Sequence, residues 1–101
     1  MKYRVIIRPE AEDDLKEAFL WYEDKSKGLG FEFLSQVEAG LKFIEENPKI
    51  FSAEYKGTRK HLIKRFPYKI IYLVEKDKIV ILAITHSKRN PNLIKKRIDG
   101  I

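Results

Sequence analysis

Hydrophobic and polar residues change period twice along this chain. Tyr3–Arg8 (YRVIIR) places Val5 and Ile7 on one face and Ile6 on the other, which predicts a first strand. Pro9 suits the opening position of a helix. Beyond it, Ala11, Leu15, Ala18, Phe19 and Tyr22 recur at helical spacing, while Leu20 and Trp21 fall off that stripe. Those two either meet the next helix or stay exposed for a partner. Lys25–Gly30 (KSKGLG) ends the helix with two glycines. A second helix is predicted over Phe31–Glu46, with the stripe Leu34, Val37, Leu41 and Ile44 and with Phe33 and Gly40 alongside. Gly40 is expected to allow close contact with the first helix, and Asn47-Pro48 stops the second.

Phe51–Thr58 has the weakest pattern and reads as a loop anchored by Phe51 and Tyr55. The period then falls to two. Lys60–Arg65 alternates charged and apolar residues, and Phe66-Pro67 makes a turn. Tyr68–Glu75 is rich in β-branched and aromatic residues. Lys76-Asp77 is a two-residue hairpin turn, and Ile79–His86 is a central strand. Strict alternation splits that strand into Ile79, Ile81, Ala83 and Thr85 against Val80, Leu82, Ile84 and His86. The tail, Asn92–Ile101, fits either a short basic helix or a final edge strand. The order is strand, helix, helix, three strands, an α+β fold. An antiparallel sheet with both helices on one face packs it most economically. The other face is also partly apolar, so either the loop covers it or it awaits a ligand or partner.

Composition narrows the possibilities. At 101 residues the chain is one domain. Without cysteine it can form no disulfide and no thiolate metal site. No run approaches the roughly 20 apolar residues that span a bilayer. MKYRVIIRPE is too interrupted for a signal peptide, and a cytoplasmic location is expected. Charge is divided unevenly. Residues 1–58 hold 9 Lys/Arg and 12 Asp/Glu, a net of −3. The remainder holds 12 and 3, a net of +9. The second half therefore suits a polyanionic or acidic partner.

The candidate chemistry lies in that basic half. His86 can act as acid or base near neutral pH. Arg89 can clamp a phosphate or carboxylate with two parallel hydrogen bonds. Lys60, Lys64 and Arg65 can add charge stabilisation to a phosphate transition state without a metal. The competing reading is that His86 only finishes a strand and bonds to backbone. His61, on an edge strand, reads as structural. Ser87 cannot pair with His86, since neighbours on a strand point apart. Glu10, Glu12, Asp13 and Asp14 read as a helix-dipole cluster. Tyr68 and Tyr72 share a face and either stack on bases or join the core. No metal site and no cofactor are expected: two distant histidines make no ligand set, and no phosphate-binding glycine loop is present.

KRFPYKIIYLVEKDKIVILAITHSKRNP resembles the signature of the RelE/ParE toxin superfamily, the small toxins of type II toxin–antitoxin systems, many of them called plasmid stabilisation proteins. YRVIIRPEAEDDLKEAFLWY matches the opening of the same pattern. The most specific parts are the turn from Arg65 to Tyr68, then Tyr72 and the His86 cluster. The resemblance implies a helical hairpin packed on a mainly antiparallel curved sheet. It implies a cognate antitoxin as partner, with a hetero-oligomer between the two. It offers two targets. RelE-like members cut messenger RNA on the ribosome; His86, Arg89, Arg65 and Lys64 would then be catalytic. ParE-like members poison DNA gyrase without catalysis. The absence of any tyrosine after Tyr72 and the His-Ser-Lys-Arg-Asn-Pro ending favour the ParE-like branch. Lys60, Tyr68, Tyr72 and Lys88 become candidate contacts with target or antitoxin, as do Lys95, Lys96 and Arg97 on charge. A third possibility is a degenerate member that binds an antitoxin and harms nothing.

Overall fold

The computed structural model describes residues 2–101. The first strand, β1, is Arg4–Ile7. Pro9 opens α1 (Pro9–Lys25), and α2 (Leu29–Glu46) returns beside it. Gly28 makes the reversal in a left-handed conformation, φ 91°. The Glu23 carboxylate then accepts hydrogen bonds from the Gly28 and Gly30 N–H groups, both at 2.9 Å. A side chain of α1 thus satisfies donors that the start of α2 leaves free. At Gly30 a Cβ would lie 2.7 Å from the Phe19 carbonyl, so this glycine lets the two helices touch. Gly40, expected to serve that contact, instead faces Ile70, Ile63 and His61 of the sheet region.

Three further strands follow: β2 (Arg59–Leu62), β3 (Tyr68–Glu75) and β4 (Lys78–His86). The sheet order is β1-β4-β3-β2. β2, β3 and β4 pair antiparallel, and β1 lies parallel to β4. β2 is shorter than the Lys60–Arg65 alternation predicted. Arg65 takes a positive φ of 71°, so the chain has left the strand before Phe66. The tail forms a helix, α3 (Pro91–Asp99), with the Asn90 side chain accepting from Asn92 N at 2.9 Å. The alternative of a final edge strand is therefore removed.

One irregularity decides which side chains share a face. Ile71 pairs with Ala83 and Tyr72 with Ile81, leaving Leu82 as an extra residue in β4. Ile79, Ile81 and Ile84 all join the core beneath α1 and α2, with Phe33, Val37, Ile44, Ile70 and Tyr72. Leu82 and Ala83 both pack on the opposite side, against Ile71 and against Ile94 and Ile98 of α3. Strict alternation had placed Ile84 and His86 with Leu82; the bulge reverses that assignment. The second face is covered in part by α3. The loop also reaches α3, where the Tyr55 hydroxyl donates to Asp99 at 2.7 Å.

Candidate functional site

The bulge turns the end of β4 toward α1 and opens a cleft there of about 690 Å³. Trp21 and Glu17 line it from α1, Tyr68 from β3, and His86, Lys88 and Arg89 from the end of β4 and beyond. The imidazole of His86 meets the Tyr68 ring edge-on, centroids 5.5 Å apart. Its Nδ1 accepts a hydrogen bond from Lys88 N at 3.1 Å. That bond places the proton of the neutral ring on Nε2 and occupies the remaining lone pair. His86 thus lines the cleft with its Nδ1 already engaged. Arg89 N donates in turn to the His86 carbonyl at 3.0 Å, so the segment is a tight turn that holds both basic side chains at the rim. Burial, with Tyr22 and Glu17 close by, pushes the Tyr68 hydroxyl above its ordinary pKa and keeps it protonated; Arg89 opposes this weakly.

At the wall of the cleft sits an arrangement that the sequence did not disclose. Asp14 is buried, and its Oδ2 accepts from Ile84 N at 3.0 Å. Arg97 of α3 donates to both Asp14 oxygens, at 2.6 and 3.1 Å, and to the Leu82 carbonyl at 3.4 Å. β1 pairs with β4 only as far as Ile81. Past that point the edge of β4 has no strand beside it. The Asp14–Arg97 pair takes the place of a strand there, and it ties the helical hairpin to α3 around the end of the sheet. The bond to Asp14 holds the Arg97 guanidinium charged, above its ordinary value.

The four residues proposed for catalysis are divided. His86 and Arg89 share the cleft, whereas Arg65 and Lys64 do not line it. Arg65 pairs with Glu32 of α2 at 2.8 Å, and the charge of Lys64 acts on His61. Of the candidate contact residues, Tyr68 and Lys88 also border the cleft. Lys60 pairs with Glu54 at 3.3 Å, the Lys95 ammonium lies 5.3 Å from the Tyr55 ring, and Lys96 is exposed. Two candidates need correction. Tyr72 is fully buried, its hydroxyl donating to the Pro48 carbonyl at 2.9 Å, so it is a core residue. Arg97 is committed to Asp14, so it holds the fold together and is not a free basic contact. Trp21 and Leu20 remain exposed, 56% and 54%. Among the described residues no group of three or more His, Cys, Asp or Glu is placed to hold a metal. No helix among them is long and apolar enough to cross a membrane.

The sequence pattern of the family described as "ParE toxin of type II toxin-antitoxin system, parDE" matches residues 5–91. The chain belongs to the ParE toxin family. The Toxin ParE2 proteins of two Mycobacterium tuberculosis strains, H37Rv and CDC 1551, are each 32% identical to this ParE-family chain over 101 residues, 99% of this chain and 96% of theirs. A chain of the chromosomal ParDE toxin–antitoxin system of P. aeruginosa superposes with a TM-score of 0.73 at 18% identity, over 84% of this chain and 96% of that one. An arginine double mutant of the E. coli toxin RelE, in its free state, gives 0.70 at 13% identity over 100% and 99%. These two likenesses concern the fold. That ParDE-system chain and RelE thus share the α+β frame found here, and the expected helical hairpin on a mainly antiparallel sheet is present.

Proposed function

We propose that this ParE-family chain inhibits DNA gyrase by binding it, without catalysis, and that a cognate antitoxin holds it inactive in a hetero-oligomer. Family membership over residues 5–91 carries this reading. The division of the nuclease candidates supports it. A metal-free cleavage of RNA needs a proton acceptor and several cations around one phosphate. Here Arg65 and Lys64 do not line the cleft, Arg65 pairs with Glu32, and the His86 Nδ1 lone pair is engaged by Lys88 N–H. The exposed Trp21, the Tyr68 edge and the Lys88–Arg89 rim make a better contact surface than a reaction centre, with an aromatic anchor beside basic groups. A cytoplasmic location goes with this reading.

One observation favours a second reading, a ribosome-dependent endoribonuclease. His86, Arg89 and Tyr68 do share one cleft. Pulse labelling after induced expression without the antitoxin separates the two. Thymidine incorporation falling before methionine incorporation supports the gyrase reading. Methionine falling first, with relief by His86→Ala or Arg89→Ala, supports the nuclease and defeats the gyrase reading. No change in either marks a member that binds its antitoxin and harms nothing.

A further inference from the structure

The second face of the sheet is only half covered. Leu82, Ala83 and Ile71 lie under α3, but toward β2 the face is open. Lys60 and Leu62 of β2 and Lys69 of β3 share that open half with Ser87 at its margin, around a cleft of about 530 Å³. Lys60 and Lys69 also border a smaller hollow of about 110 Å³ that runs on to Lys95 of α3. The two hollows therefore form one groove, with lysines along its length and an exposed Tyr55 near its α3 end.

We propose that this groove binds the phosphodiester backbone of a nucleic acid, a surface separate from the cleft at His86. The excess positive charge of the second half is the first support. None of the ion pairs among the described residues involves Lys69 or Lys95. The Lys60–Glu54 pair is solvent-exposed, and such pairs contribute little, so a phosphate can displace the carboxylate. Burial, and then Lys60 beside it, holds Lys69 below its ordinary pKa. An anion in the groove relieves that repulsion. The nearby guanidinium of Arg59 donates to the Phe51 carbonyl, so the lysines carry the uncommitted charge of the groove. With the Glu54 carboxylate that borders both hollows displaced, the groove offers lysine charges and the Ser87 hydroxyl to a chain of phosphates. Leu62, 60% exposed, and the Tyr55 ring supply apolar and aromatic surface for sugar and base.

Fluorescence anisotropy with oligonucleotides of on the order of 20 nucleotides, single-stranded and duplex, tests this with the full chain. Three lysine contacts give a log–log salt slope of about −2 on single strands and nearer −3 on duplex. Tighter binding of single strands points to unpaired bases on Tyr55, and equal binding to the backbone alone; either supports the site. Lys60→Glu with Lys69→Glu is expected to weaken binding about tenfold or more. Lys16→Glu with Lys42→Glu, the same charge change on the helical layer, is expected to cost much less. Circular dichroism confirms that both variants fold. Equal losses in the two variants, no binding at low salt, or polyglutamate competing as well as the oligonucleotide would each overturn the proposal.

Discussion

Asp14 joins three elements of this structure, α1, β4 and α3, through one carboxylate. The sequence places it in a run of acids at the start of a helix, where the dipole accounts for it. Its actual partners, Ile84 and Arg97, are 70 and 83 positions away along the chain. No local pattern reveals such a pair. Asp14→Ala leaves a partly buried guanidinium and a strand N–H without an acceptor, and should cost about 3 kcal/mol in chemical denaturation. Asp14→Asn keeps an acceptor for Ile84 N and should cost less; equal losses would show that the bond to Ile84 is immaterial. His61 gives a second residue-scale expectation. Its ring stacks on Phe43 with centroids 5.1 Å apart, and its Nδ1 is buried without a partner. Burial first, and Lys64 second, lower its pKa below 6.5. The folded chain then binds fewer protons than the unfolded one. Full stability is present above about pH 6.5 and is lost as pH falls through the lowered folded value. The melting temperature of the His61→Phe variant should fall less than that of the parent over the same descent. Parallel curves would remove His61 from the pH response.

At the scale of elements, periodicity located almost everything that repeats. Strand 68–75, the Lys76-Asp77 turn and the start of α1 at Pro9 lie where the residues placed them. The failures arise where a single residue breaks the repeat. Leu82 is an ordinary apolar residue in an apolar run, so nothing in its identity marks a bulge. Yet it alone sends His86 to the α1 side, where the cleft forms. The tail was ambiguous because four apolar residues among three cations fit period two nearly as well as 3.6. The Asn90 cap and the buried Ile94 and Ile98 settle it as a helix. The two helical glycines were harder to separate by pattern than by surroundings. Gly30→Ala drives a methyl against a backbone carbonyl that cannot yield, and should cost about 2 kcal/mol. At Gly40 the nearest atoms are side-chain methyls of Ile70 and Ile63, at 3.0 and 3.2 Å. They can shift, and the helix gains up to about 1 kcal/mol from losing a glycine, so Gly40→Ala should be near neutral. Thermal melts of the two variants check the contrast; a reversed order would mean that α1 and α2 do not meet as described.

Across the whole molecule, charge and layering coincide. The acidic first half supplies the helical hairpin, and the basic second half supplies three of the four strands and α3. The His86 cleft lies where the two meet, with Asp14 and Glu17 on one wall and Lys88 and Arg89 on the other. The basic groove lies on the opposite face, lined from residue 51 onward. The sequence showed the cations but not this division, because membership of a face depends on the bulge and on α3. The gyrase reading is tested most directly with purified components: DNA gyrase, relaxed plasmid, ATP and the full chain, followed by supercoiling and by trapped DNA cleavage. The expected result is loss of supercoiling that a Trp21→Ala, Lys88→Ala, Arg89→Ala variant, folded by circular dichroism, does not produce. Unimpaired gyrase, together with cleavage of messenger RNA on purified ribosomes, would contradict it.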